Sequence, residues 1–468
     1  MNKMIVTAIG VLLFLGGTVL TFSQNPVPKE ILELRRKEFM KSIGDAVAIF
    51  PGEVRNRYGQ VDENVARYFY YLTGFEDSNA WLILNPGGEE KYLLFVRPFN
   101  PGQVIWTGEM PGVEGTRDLY GVDKAYSLSE FREVAGILLK SSSEVYTISN
   151  NRWLKEELTG LIPENANVTL MNAQPVLDKM RGTKDPYEIE QLRRAIEITC
   201  EAHSEALNVM KPGLWEYEIE AVIEYVFRKN GATGPSFPSI VGSGPRSTIL
   251  HYETNDHQIE NGDMVVMDIG SEVNHYKADV TRTIPSNGKF TIEQLEIYNL
   301  VLKAQNEAIK VMIPGEKISH FNEVASRVIL EGLYELGLVT DVESSWQKEI
   351  SVLYFTGHFI GLDIHDVYSY TTRNLGTMVF EPGMVITIEP GVYIHPDMLK
   401  TLHERLGSRV PNNEIDKFVQ DTGPAFEKYK NIGIRIEDDI LITENGNEIL
   451  SKGTPKTPNE IERLMGGK

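Results

Sequence analysis

The sequence predicts an α/β (α+β) protein in two parts: an N-terminal α/β domain, then a domain built on a pseudo-twofold repeat. Three observations carry this reading. In the first third, short apolar β-type runs alternate with helical stretches. A capping signal, Asp185-Pro186-Tyr187-Glu188, then starts a long helix with Ile189, Leu192, Ala195 and Ile196 on one face. Beyond it the chain repeats itself. Residues 205–213 read EALNVMKPG and residues 307–315 read EAIKVMIPG, and GDMVVMDIG at 262–270 aligns without a gap on GMVITIEPG at 383–391.

In chain order, residues 29–44 read as a charged helix, and 47–51, 80–84, 91–96 and 143–149 as buried strands. Helical stretches at 129–140 and 152–161 lie among them, and the pattern ends near 175–179. This half has no acid and histidine cluster at metal spacing, which suits a support and substrate-gating domain. Trp106, in VIWTG, is an aromatic in a Gly-rich loop and by itself reads as a packed side chain. In the second half each repeat closes one long helix at Pro-Gly and opens another, at 216–229 and at 319–336. The first helix of the second copy opens with its own capping box, Thr291-Ile292-Glu293-Gln294. The offset between copies grows from 102 to 121, so the second copy carries an insertion between helix and strand.

Composition narrows the function. At 468 residues and 41% hydrophobic content, one to three domains with sizeable cores fit. A formal charge of −20 argues against nucleic-acid binding and suits neutral or cationic substrates. Cys200 is the only cysteine, which excludes an intrachain disulfide and a CxxC metal site. Residues 1–23 read as a secretory signal: Lys3, an apolar run at 4–20, then Thr21-Phe22-Ser23 before Gln24. The other reading of that run is an uncleaved membrane anchor. The expected layout is therefore a signal at 1–23, a first domain at 24–178 and a catalytic domain at 179–468, in an exported bacterial protein, periplasmic or secreted, with no stable membrane insertion once the signal is removed.

The chemistry gathers around 261–283. Asp268 ends the apolar run 264–267, Gly270 breaks it, and Asn274-His275-Tyr276 turns the chain into a strand at 277–283. Such a hairpin brings Asp268 and Asp279 to one end of a sheet, where they repel unless a proton or cation lies between them. Taken alone, they also read as solvated aspartates flanking a turn. The repeat places Glu389 as the counterpart of Asp268. In TGHFIGLDIHD, His358 and His365 are seven apart, on opposite faces of a strand unless a turn at Gly361 converges them. Either also reads as an ordinary core or surface histidine. Glu437 falls on an alternating strand at 433–439, and His251 sits in ILHYE just before the hairpin. Asp268, Asp279, His358, Glu389 and Glu437 form a hard, oxygen-rich set with one imidazole. That set suits a pair of ions such as Mn²⁺, Co²⁺ or Zn²⁺. Bridging carboxylates would hold such ions roughly 3.5 Å apart around a water that ionises near neutral pH and attacks a carbonyl.

These motifs resemble the pita-bread metallopeptidase family shared by aminopeptidase P (Xaa-Pro aminopeptidase) and prolidase, most closely the former. The resemblance covers the mature chain and is strongest over 181–465: GTKDPYEIEQLRRA, SIVGSG, VVMDIGSE, ADVTRT, GHFIGLDIHD, MVITIEPGVYI and GIRIEDD. It implies a creatinase-like first domain and a pita-bread catalytic domain. It implies that Asp268 chelates one metal, that Asp279 and Glu437 bridge, and that His358 and Glu389 bind the other. Glu389 would also take the proton of the bridging water. His251 and His365 would contact substrate and stabilise the tetrahedral intermediate. Arg435 would orient the acids, Tyr393 would line the pocket, and Trp106 would reach a site from the first domain, in its own or a neighbouring subunit. The implied cofactor is two divalent ions per subunit, Mn²⁺ foremost, with Zn²⁺ or Co²⁺ as alternatives. The implied substrates are peptides with proline second, and the implied assembly is a homodimer or homotetramer. Prolidase, restricted to Xaa-Pro dipeptides, shares all five ligands. Creatinase-like members work without metals and methionine aminopeptidases usually lack the first domain. A non-catalytic binding module would be expected to have lost ligands. This sequence departs from the family at Tyr354, where a histidine is usual, and at Phe237, where a tyrosine is common. The 394–431 segment is longer than the family pattern, and as a cap it would restrict substrate length.

Overall fold

The computed structural model describes residues 26–54, 61–108, 110–164, 166–351, 356–368 and 377–466. The signal reading and Tyr354 fall outside these residues.

The first part is an α/β layer. Helices α1 (Lys29–Ile43) and α2 (Glu63–Thr73) bracket β1 (Val47–Pro51), and β2 (Trp81–Leu84) and β3 (Tyr92–Val96) follow. Then come α3 (Val104–Thr107), α4 (Gly112–Tyr120), β4 (Lys124–Ser127), α5 (Phe131–Ser141), β5 (Glu144–Thr147), α6 (Arg152–Thr159), β6 (Thr169–Asn172) and α7 (Gln174–Gly182). Among the described residues these strands form one sheet in the order β4-β3-β2-β1-β5-β6. Every residue of β1 and β3 is buried, so both faces of the sheet are covered there. This explains the unbroken apolar runs in place of a polar alternation. Its core continues into the second half through Leu192, Ala195, Tyr276 and Ile360.

The second part opens with α8 (Pro186–Val209), whose capping box forms as expected: the Glu188 amide donates to Asp185 Oδ1 at 2.9 Å, and the Asp185 amide to Glu188 Oε2 at 3.1 Å. The first copy continues with α9 (Glu216–Lys229), β7 (Gly234–Pro235), β8 (Ile240–Ser243), β9 (Met264–Ile269), β10 (Ser271–Val273), β11 (Tyr276–Lys277) and β12 (Val280–Pro285). The second holds α10 (Ile292–Val311), α11 (Ile318–Glu335), α12 (Ser345–Ser351), β13 (Val385–Ile388), β14 (Gly391–Tyr393), α13 (Leu402–Leu406), α14 (Asn412–Tyr429), β15 (Gly433–Arg435), β16 (Asp438–Thr443), β17 (Gly446–Ile449) and α15 (Pro458–Met465).

The repeat seen in the sequence holds in the hydrogen bonds. The Gly213 amide donates to Ile259 O at 2.8 Å, and the Gly315 amide to Phe380 O at 2.9 Å. An isolated bridge joins Trp215 to Gln258, and another joins Lys317 to Val379. The paired glycines Gly262 and Gly383 share a left-handed backbone, φ 90° and 94°. In each case the partners differ by the two offsets the sequence predicts.

Strand register refines the symmetry. On β9 and β12, Asp268 pairs with Thr281. On β13 and β16, Ile388 pairs with Asp438, so Glu389 and Glu437 come next along both strands. The equivalent of Glu437 is therefore Thr281, and two residues earlier the equivalent of Asp279 is Arg435. The two copies meet there: the Glu437 amide donates to Thr281 O at 3.0 Å. The Arg435 amide donates to Thr283 Oγ1 at 3.0 Å, and the Asp279 amide to Asp439 Oδ2 at 3.3 Å.

Two expected strands are broken. The 277–283 strand stops after Lys277 and restarts at Val280; the 433–439 strand stops after Arg435 and restarts at Asp438. Each break sets a metal-type acid, Asp279 or Glu437, between strands. The physical cause in the first copy is a backbone crossing. A Cβ on Gly270 would lie 1.8 Å from Ala278 O, so the chain passes too close there for a continuous ladder or for a side chain.

Candidate metal centre

Asp268 stands on β9, where all six residues are buried and both edges are paired, to β8 and to β12. The carboxylate therefore sits on a rigid element. Glu389 follows β13, its amide donating to Thr356 O at 2.8 Å. His358 is tied onto β13: its amide donates to Thr387 Oγ1 at 3.0 Å, and its carbonyl accepts from the Thr387 amide at 2.8 Å. From α10 the buried Gln305 amide donates to Ile388 O at 3.2 Å and Ile436 O at 3.0 Å, fixing the residues that precede Glu389 and Glu437.

The acids converge. Ligand atoms of Asp279, His358 and Glu437 all lie within 4.8 Å of one another. His358 Nε2 is 3.4 Å from Asp279 Oδ2 and 3.5 Å from Glu389 Oε1. A bond from His358 Nδ1–H to Phe359 O, at 3.1 Å, leaves Nε2 as an acceptor facing the acids. Arg435 joins Asp268 to the rest: Nη2 donates to Asp268 Oδ2, Nε to Thr281 Oγ1 at 3.0 Å, and Nη1 to the Tyr393 hydroxyl at 2.9 Å.

The electrostatics call for a proton or a cation among these acids. Burial, then repulsion from Asp268 and Glu389, pushes Asp279 well above the carboxylate range. Burial and the charges of Asp279, Glu389 and Asp268 do the same to Glu437. Burial raises Glu389 although His358 and Arg435 pull it back. One guanidinium faces four carboxylates. Asp268 Oδ1, Asp279 Oδ1 and Glu437 Oε1 are buried with no hydrogen-bond partner. Buried acceptors are rarely left so, and divalent ions with oxygen ligands fit this set.

The structure also gathers the non-ligand residues. The bend at 361–365 replaces the strand geometry and brings the His365 ring to 4.4 Å from that of His358, at 83°. Burial, then the charges of His358 and His251, lowers His365 to about 4. His251 is exposed in the turn before β9. Trp106 is not packed: it is 81% exposed on α3, beside Ile105 at 82%. Sequence reasoning missed Thr281, Thr387, Gln305 and Asp439. The signal for Thr281 and Thr283 was available, since polar side chains recur on a strand whose neighbours are all apolar or site residues. Asp439 is pushed up to about 8 by burial, partly offset by the bond from the Asp279 amide. The 394–431 segment builds its own small core of Leu402, Leu406, Val410, Ile415 and Phe418 with Ile350. Between it and β14 lies a cavity of about 250 Å³ that Tyr393 and Arg405 help to line.

A duplicated α/β domain whose two copies deliver acids to one buried, cation-seeking cluster defines a metallohydrolase. Comparison with known proteins agrees. The family model described as metallopeptidase family M24 matches residues 190–444, and the aminopeptidase P N-terminal domain matches residues 32–146. The Xaa-Pro aminopeptidase of Haemophilus influenzae is 36% identical, with 94% of this chain and 98% of the relative covered. Aminopeptidase PepP of Pseudomonas aeruginosa superposes with a TM-score of 0.81 at 35% identity, covering 94% of this chain and 98% of that one. Zinc-substituted Escherichia coli aminopeptidase P in complex with product gives a TM-score of 0.81 at 32% identity, covering 94% and 99%. The chain belongs to metallopeptidase family M24, within its aminopeptidase P group, and is a metal-dependent aminopeptidase.

Proposed function

We propose that the protein releases the N-terminal residue from peptides with proline in the second position, using two divalent ions held by Asp268, Asp279, His358, Glu389 and Glu437. The observation that supports metal binding is the set of three buried carboxylate oxygens without a partner in a cluster of four acids, and the count of two ions comes from the five-ligand set. The proline preference rests on the relatives, which are Xaa-Pro aminopeptidases over nearly their whole length. When bound, the ions supply Lewis acidity to the scissile carbonyl and lower the pKa of a water. Mn²⁺ is the proposed metal, and Zn²⁺ or Co²⁺ would fit the same donors.

The chain's own residues do the rest. Glu389, raised by burial and next to His358, is placed to take a proton from the attacking water. His365, held neutral by burial and felt electrostatically by His251, would donate with His251 to oxygen of the tetrahedral intermediate. Arg435 holds Asp268 and Tyr393 in one orientation. Proline has no N–H, so selection would come from the shape of the pocket around its ring. Trp106 is exposed on the first domain, and in a dimer or tetramer it would contact substrate at the site of a neighbouring subunit. The 394–431 segment flanks the strand that bears Tyr393 and would limit substrate length. Export to the periplasm, or secretion, is proposed from the apolar run at 4–20. No helix among the described residues is long and apolar enough to cross a membrane.

Metal-stripped protein reloaded with Mn²⁺ should cleave both an Xaa-Pro dipeptide and an Xaa-Pro-Xaa tripeptide. Cleavage of the dipeptide alone would replace this reading with a prolidase.

A further inference from the structure

A second charged cluster lies beside the first, and the reaction as described does not use it. Asp366 follows His365 directly in the chain and is wholly buried. Its carboxylate accepts from Lys184 Nζ at 2.7 Å on one oxygen, and from Arg181 Nη2 and the Val367 amide on the other. Arg181 and Lys184 are buried as well. Burial alone would raise Asp366, but Arg181 and Lys184 hold it below the usual carboxylate range. The Asp366 amide closes the bend by donating to Phe359 O at 2.9 Å. Gly361 makes room for this: a Cβ there would lie 2.1 Å from Asp366 Oδ2 and 2.9 Å from Lys184 Nζ.

The cations come from outside the bend. Arg181 belongs to α7, with its guanidinium 5.2 Å from the Tyr68 ring of α2. It also donates to Asp363 Oδ2 at 2.7 Å, and Arg67 of α2 donates to the other oxygen of Asp363 at 3.2 Å. Residues 361–366 are thus gripped at two acids by helices of the first part. One end of the grip is one peptide from His365, and the other end of the bend is His358.

We infer that Asp366, clamped by Arg181 and Lys184, is a positioning residue for His365, through which α7 and the residues leading into α8 set the place of that histidine in the catalytic site. Such a clamp has a reason. His365 sits perpendicular to His358 at ring-contact distance. The bend has no strand ladder along 361–365 to fix that geometry, and misplacement by about 1 Å can cost on the order of a hundredfold in rate. A buried ion pair is costly to assemble, and its best-attested use is to select one arrangement among alternatives.

The inference rests on the peptidase reading for its kinetic arm and is independent of it in a second arm. Asp366→Asn removes the charge and keeps the size. In the Mn²⁺-loaded enzyme its kcat should fall about tenfold, with KM changed less than about threefold. In a His365→Ala background the same substitution should cost less than about twofold, because a residue acting through His365 has nothing left to position. Lys184→Met leaves Arg181 on Asp366 and should give a smaller loss with the same background dependence. It serves if Asp366→Asn does not fold. In metal-free protein with ring-labelled histidine, the magnetic-resonance signals that vanish in His365→Ala should move in Asp366→Asn or Lys184→Met, while those of His403 stay. Equal losses in the two backgrounds, or unmoved His365 signals, would overturn the inference. A parent enzyme inactive on Xaa-Pro peptides would count against the substrate reading, and the His365 signals would still decide this one.

Discussion

Thr281 Oγ1 donates to Glu437 Oε2 at 2.6 Å and accepts from Arg435 Nε at 3.0 Å, and the two residues occupy equivalent places in the two copies of the repeat. The pseudo-twofold axis therefore passes between a threonine and a glutamate. One copy has kept a carboxylate at this position; the other has a hydroxyl there and supplies its acid two residues earlier, from Asp279. Thr281→Val should leave Glu437 and Arg435 each short of one buried bond. Metal affinity should fall about 10-fold or more, measured by competition with a chelator. Unchanged affinity would mean that the hydroxyl does not orient Glu437.

Removing one acid should have opposite effects with and without metal. In the metal-free protein Asp279→Asn relieves repulsion among buried carboxylates. It should raise stability on the order of 1 kcal/mol, since one pKa unit is about 1.4 kcal/mol. With Mn²⁺ added, the parent should gain stability and the variant should gain much less. Thermal unfolding in chelator and in Mn²⁺ checks both halves.

The pH dependence follows from two sets of acids with opposite signs. Asp439 is pushed up to about 8, so it holds its proton in the fold when the unfolded chain has lost it. Its contribution is full below the unfolded value near 3.8 and is lost as pH rises through about 8. Asp366 and Asp438 are held low, so their contribution is present above that value and is lost as pH falls through their folded values. Metal-free protein should therefore lose stability from pH 5 to pH 8, at up to about 1.4 kcal/mol per pH unit per group. Asp439→Asn should flatten that slope. Denaturant melts at several pH values measure it, and an equal slope in the variant would assign the effect elsewhere.

Gly270→Ala tests the crossing that releases Asp279 from the ladder. The added carbon would meet the Ala278 carbonyl oxygen and the buried Ser236 hydroxyl, which donates to that same carbonyl. A loss of about 3 kcal/mol is expected. A calorimetric scan showing no change would mean that the strands can separate there at little cost.

Much of this was legible in the chain because the signals were local or repeated. The Asp185 and Glu188 box is written within four residues and forms as read. The offsets of the repeat carry over to the Gly213 and Gly315 bonds. The five ligand-type residues stood out as acids and one histidine set in short, largely apolar motifs. The breaks at 278–279 and 436–437 were not legible, because they depend on approaches made only in the fold, of Ala278 to Gly270 and of Glu437 to Thr281. Asp366 drew no reading of its own, since the cations that pair with it lie some 180 residues earlier, at Arg181 and Lys184. For Trp106 residue type alone suggests packing, while the resemblance implies a contact with substrate; the structure exposes the side chain, against the first of these.

A metal count tied to activity tests the two-ion aminopeptidase reading. Protein stripped with chelator and reloaded with Mn²⁺ should bind two ions per chain by elemental analysis. It should cleave an Xaa-Pro-Xaa tripeptide only when loaded, and Glu389→Ala should be folded and inactive. Full activity in the stripped protein, or in Glu389→Ala, would contradict it.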